Sequence, residues 1–138
     1  MSSRIGDRTG EEGSAVAEFV LVGLLLTVLT LSVLQLGFAL HVRNTVLDAA
    51  SEGARFGALA DSGGVQGAER TRDLITAAIG AGYARNVRAE EGTAAGVPTL
   101  VVTVQTPLPL LGLVGIDGGL RVSGRAAIED LDEAADGR

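Results

Sequence analysis

A chain of 138 residues has room for one membrane-spanning helix and one small domain of fewer than about a hundred residues. It contains no cysteine, which excludes disulfides and thiolate chemistry. Its net charge is −6 and its cations are all arginine, a balance that argues against the concentrated basic face needed for nucleic acid.

The first thirteen residues, MSSRIGDRTGEEG, are hydrophilic, with Arg4 and Arg8 set against Asp7, Glu11 and Glu12. From Phe19 to Leu40 there follow 22 residues without a formal charge, sixteen of them apolar, the exceptions being Gly23, Thr27, Thr30, Ser32, Gln35 and Gly37. As a helix that run spans roughly 33 Å, against a bilayer core of roughly 30 Å. It is longer than the apolar core of a secretory signal peptide and has no polar face of useful width, so it reads as a transmembrane helix. Glu18 sits at its front edge, where a carboxylate costs roughly 2.5–3.5 kcal/mol on insertion scales and normally has a partner.

Glycine at 13, four small or apolar residues, Glu18 and then the apolar run resemble a type IV prepilin signal. The resemblance implies that a prepilin peptidase cuts between Gly13 and Ser14, making Glu18 the fifth residue of the mature chain. Such a cut creates an amine on Ser14 about one helical turn from the Glu18 carboxylate, which could pair with its own terminus or with a neighbour's. Glu18 as a residue that merely ends the helix at the membrane surface is the plainer alternative.

Along the helix, Gly23, Thr27, Thr30, Leu34 and Gly37, continued by His41, Asn44, Asp48 and Ser51, recur at spacings of three and four and share one side. Small and hydroxyl residues let membrane helices approach, so Gly23 to Gly37 form a possible packing seam. Chance is an equal reading, since threonine is tolerated anywhere in such a helix. His41 is the only histidine and lies at the membrane boundary, where an interfacial polar role outweighs metal binding.

The next stretch, NTVLDAASEGARFGA (Asn44 to Ala58), with the opening GSAVAEFVLVG, resembles TadE-like proteins, minor pseudopilins of the Flp (tight adherence) pilus system. The likeness covers about Gly13 to Ala60. This chain differs in having Glu12 where the family often has a basic residue and Gly23 where it often has proline. The resemblance implies a pilin-like fold, with prepilin peptidase, other pilins or pseudopilins, pilus platform proteins and the membrane as partners. It also implies a single-pass location in the cytoplasmic membrane, leader inside and C-terminal domain outside. Arginine counts leave the orientation open, with Arg4 and Arg8 before the helix and Arg43 and Arg55 after it.

Beyond the membrane the helix is expected to continue over 42–60, burying Val42, Val46, Ala49, Gly53 and Phe56 or Gly57. Asp61 to Gly64 break it, and a second amphipathic helix is expected from Val65 to Tyr83, with Leu74, Ile75, Ala78 and Ile79 as its apolar face and Gly80 and Gly82 marking its end. A weak strand over Asn86–Glu90, a polar turn over Glu91–Gly96, a clear strand over Val97–Thr106 and a last strand over Leu120–Glu129 complete the domain, the last two pairing antiparallel. Between these strands, Thr106 to Gly119 is apolar yet carries two prolines and four glycines, which predicts an irregular connection that caps the core, touches the bilayer or binds a partner. The tail, 130–138, is acidic and poor in apolar residues.

The fold class is therefore α+β: a long N-terminal helix, a second short helix and a small antiparallel sheet. The expected organisation is a leader over 1–13, a transmembrane helix over 14–41, its exposed continuation over 42–60, an extracytoplasmic domain over 61–129 and the tail. No Ser–His–Asp, H-E-x-x-H, phosphate-loop or dinucleotide motif occurs, so no enzyme activity, metal or other cofactor is expected. The function read from the sequence is pseudopilin service in pilus assembly or a related secretion apparatus. The alternative is an uncleaved single-pass protein whose outer domain binds another envelope protein.

Overall fold

Helix α1 (Arg8–Gly57) is one element of fifty residues. It belongs to a computed structural model that describes residues 8–59, 61–110 and 114–128. No proline interrupts it, because all three prolines of the chain lie farther on, and it passes through Gly23 as helix. The chain divides between Leu36 and Gly37 into two units.

In the first unit every large apolar side chain from Val16 to Leu36 is exposed, Phe19 at 79%. Leaving one such side chain in water forfeits roughly 1.5–3 kcal/mol, and fourteen of them in a row make an aqueous environment untenable. The segment is long and apolar enough to cross a membrane, and none of it is buried against protein. The hydroxyls of Thr27, Thr30 and Ser32 donate to the carbonyls four residues back, of Gly23, Leu26 and Val28, at 2.7–2.8 Å, which satisfies them inside the helix.

The second unit is a two-layer α+β domain. Its sheet has three antiparallel strands in the order β1 (Asn86–Ala94), β2 (Val97–Leu110), β3 (Val114–Ala127). The end of α1 and helix α2 (Gly64–Ile79) cover one face of that sheet. Val42, Val46, Ala50 and Ala54 are fully buried, and with Ile75 of α2 and Val102, Val104 and Val122 of the sheet they make the core. Strand alternation sends Val87, Leu100, Val102, Val104, Val122 and Gly124 inward and Arg88, Glu90, Arg121, Ser123 and Arg125 outward.

Several boundaries differ from the sequence expectation. α1 ends at Gly57 rather than near Ala60, and α2 ends at Ile79, with a separate 3-10 turn over Ala81–Tyr83. Gly80 caps α2 with φ +105°, its amide donating to the carbonyls of Ile75 and Thr76. Phe56 is exposed and Gly57 buried, because that side of α1 meets the backbone of Gly63 and Gly67 and has no room for a ring. Ala78 is exposed. β1 extends through the expected polar turn to Ala94, and Ala95 and Gly96, both at positive φ, form the two-residue hairpin turn.

The largest correction concerns Thr106 to Gly119. The expected irregular connection is an extension of the hairpin, with β2 continuing to Leu110 and β3 starting at Val114. The prolines are tolerated because β1 ends its pairing at Gln105, so Pro107 and Pro109 lie where β2 pairs on one side only. A register shift between Thr106 and Leu108 absorbs the mismatch. The expected tail, 130–138, and residues 1–7 of the leader lie outside the described residues.

A chain truncated to begin at Val42 retains every core residue of the second unit. It is expected to stay in the supernatant when membranes are pelleted, with low stability for a small domain without disulfides. Complete partition of the truncated chain into membranes would show that the domain carries a second membrane contact.

Candidate processing and assembly site

Gly13, Ser14 and Glu18 all lie on α1, exposed, within two turns of one another. Ser14 and Glu18 are four residues apart and therefore share a face. A Cβ placed on Gly13 would meet no atom within 4 Å, so packing inside the chain does not account for a glycine there. α1 is helical from Arg8 onward, so the Gly13–Ser14 bond is helical. A peptidase that binds an extended backbone must unwind this end first. Gly10 and Gly13 lower the cost, since glycine is about 1 kcal/mol less favourable than alanine in a helix interior.

The helix start also changes the electrostatics of a cut. In the intact chain Glu18 sits well inside α1. After removal of residues 1–13 it would lie one turn from a new helix end, beside unpaired amides and the Ser14 amine, all of which favour a carboxylate.

Gly23, Thr27, Thr30 and Leu34 of the possible seam are exposed on the first unit, and Gly37 opens the second. A Cβ at Gly23 or Gly37 would touch nothing. With the Thr27 and Thr30 hydroxyl protons already given to their own helix, this side offers close approach rather than hydrogen-bond donors. His41, Asn44 and Asp48 are exposed and Ser51 is half-buried. Among the described residues no group of His, Asp or Glu could hold a metal ion.

The Gly53-Ala54-Arg55 segment belongs to packing. A Cβ on Gly53 would collide with the Thr71 hydroxyl and lie 2.6 Å from the Gly67 carbonyl oxygen. A Cβ on Gly67 would lie 2.7 Å from the Gly53 carbonyl oxygen. Thr71, fully buried, donates to the carbonyls of Gly67 at 2.9 Å and Ala49 at 3.3 Å, bridging the two helices. Ala54 is fully buried in the core and Arg55 is exposed. The small residues of this stretch let α1 and α2 meet backbone to backbone.

Sequence reasoning anticipated the strands and put Gly53 on the buried face of α1, but missed the close approaches of Gly53 to Gly67 and of Gly124 to α1. The available signal was a glycine at an inward position of an otherwise apolar face, as Gly124 is between Val122 and Ala126.

The family described as TadE-like protein has a model that matches residues 13–55. The matched stretch starts at Gly13, takes in Glu18 and the apolar run, and ends with the Gly53-Ala54-Arg55 packing segment. No curated protein and no solved structure matches the chain.

Proposed function

We propose that this chain, a TadE-like protein over residues 13–55, is a minor pseudopilin that serves assembly of a Flp-type pilus or a related secretion apparatus. In this reading a prepilin peptidase removes residues 1–13. The apolar part of α1 holds the mature chain in the cytoplasmic membrane, and the α+β domain lies outside. Glu18 neutralises the Ser14 amine of a neighbouring pilin or pseudopilin, or its own, and the Gly23–Gly37 side lets helices of such partners or of platform proteins approach.

The observation that carries the proposal is the order of features on one helix: an exposed glycine with no packing role, a carboxylate five residues on, and an apolar run with no protein around it. A soluble fold has no use for that order, whereas a lipid-to-filament transfer uses each part. N-terminal sequencing of the membrane-bound protein tests it, with Ser14 as the expected first residue.

Gly13→Val should block maturation. A β-branched side chain next to the scissile bond obstructs close backbone approach, and a misplacement of about 1 Å at a reacting centre can cost on the order of a hundredfold in rate. The uncut chain is expected to accumulate in the membrane, as read by mass on immunoblots. Normal maturation of this variant removes the peptidase from the proposal.

A second reading, an uncleaved single-pass protein whose outer domain binds another envelope protein, draws support from the helical state of the Gly13–Ser14 bond. A mature protein that still begins at Met1 would favour it.

A further inference from the structure

The outer face of the sheet and the cleft between the two helices of the second unit differ in charge. Among the residues whose side chains are described, the outer face of the sheet holds Arg88, Arg121 and Arg125 against the single acid Glu90. In the paired rows, Asn86 lies beside Gln105 and Arg121, Arg88 beside Thr103 and Ser123, and Glu90 beside Val101 and Arg125. Asn86 donates to Gln105 at 3.0 Å and the hydroxyls of Thr103 and Ser123 lie 3.1 Å apart, so the middle of this face is internally bonded while Arg88 and Arg125 are exposed. A net positive face on a chain of net charge −6 is a local concentration, not a reflection of composition.

On the opposite side of the domain, where α1 and α2 turn away from the sheet, an open cleft of about 300 Å³ runs between the helices. Its floor is Ala49, Leu74 and Ala78, and its α1 rim is Thr45, Asp48 and Glu52. Asp48 and Glu52 are one helical turn apart on the same face. Arg55 lies three residues from Glu52 and Arg70 one turn from Leu74, and neither lines the cleft. Among the described residues Arg88, Arg125, Asp48 and Glu52 have no ion-pair partner, whereas Arg72 is committed to the Val87 carbonyl at 2.9 Å.

We propose that the arginine face of the sheet docks into the acidic α1–α2 cleft of a second copy of this chain. The cleft has the chemistry an arginine needs: an apolar floor for the methylene stem and two carboxylates in reach of a planar guanidinium. The complementary surface is supplied by the same domain, with no second protein required. Because the two surfaces are different and face opposite ways, the contact is head-to-tail, and repetition gives an open row rather than a closed dimer. It is a property of the domain and does not depend on cleavage at Gly13.

The test uses the full chain in its membrane. With no native cysteine, engineered thiols are the only ones present. Two differently tagged copies are co-expressed, one carrying Ser123→Cys on the sheet face and the other Thr45→Cys on the cleft rim, and treated with a short bifunctional maleimide. The mixed product is expected to dominate over either same-site product. Reversing Arg88→Glu and Arg125→Glu on the Ser123→Cys copy should lower it about tenfold or more, since like charges are then opposed. Adding Asp48→Arg and Glu52→Arg to the Thr45→Cys copy should restore it, which also shows that the reversed domain is folded. Dominant same-site products, a mixed product indifferent to reversal, or no restoration in protease-resistant domains overturns the proposal.

Discussion

Gly124→Ala is expected to destabilise the second unit by about 3 kcal/mol or more, at the upper end of overpacking effects, although it adds one methyl group. Gly124 lies on the inward face of β3, paired with Val102. A Cβ there would overlap the carbonyl group of Ala50 and the amide nitrogen of Ser51. These are backbone atoms of a helix whose neighbours Val46, Ala50 and Ala54 are fully buried, so nothing at the contact can rotate aside. Either α1 lifts from the sheet or β3 leaves its register, and both expose Val102, Val104 and Val122. Gly53→Ala should cost less, about 1–3 kcal/mol, because the atom it strikes first is the end of the Thr71 side chain. Hydrogen exchange at the β2 amides of the full chain is the suitable readout, since α1 dominates any helical signal. Wild-type protection in Gly124→Ala would mean that α1 does not lie on β3. Ala127→Val, on the exposed side of the same strand, should be nearly silent.

How far the sequence was legible follows from which signals are local. The alternation of Leu100, Val102 and Val104 has a period of two and needs no knowledge of the partner strand, so the central strand was readable. The α1 face at Val42, Val46, Ala49 and Gly53 was readable for the same reason at a period of 3.6. Phe56 against Gly57 was undecidable by periodicity. The choice was made by Gly63 and Gly67 approaching from another helix. Pro107 and Pro109 misled because a proline excludes a central strand but not a strand with one free side, and the point where β1 stops at Asn86–Gln105 is a tertiary fact. Of the candidate site, Gly13, Ser14 and Glu18 were legible because their spacing is the signal. That α1 already runs through Gly10 and Gly13 was not, since a polar leader with two glycines has no periodicity. The strands that carry Arg88 and Arg125 were each expected, but the gathering of these arginines on one face depends on the register of three strands.

Glu18→Ala should separate membrane insertion from assembly more sharply than any other change. If Glu18 only ends a helix, removing it deletes a residue that is costly in lipid, and the variant should insert and function at least as well as wild type. If it pairs with a Ser14 amine, the variant is cleaved normally but leaves that cation without a partner in a low-dielectric setting, where breaking one side of a pair is strongly unfavourable. Assembly, read as piliation or as co-purification with other pilins, should then fall about tenfold or more while the amount of cleaved membrane protein is unchanged. Glu18→Gln tests charge apart from shape, since it keeps the length and the hydrogen-bonding oxygen, and it should fail nearly as badly. The helix start supplies a further distinction. Only after residues 1–13 are gone does Glu18 lie beside free helix amides, so its contribution belongs to the mature chain. In a Gly13→Val background, which stays uncut, adding Glu18→Ala should change nothing further. A loss of assembly confined to cleaved chains supports the charge partnership; undiminished assembly in both Glu18→Ala and Glu18→Gln would remove it and leave Gly13 as the sole residue at this end of the chain that points to pilin processing.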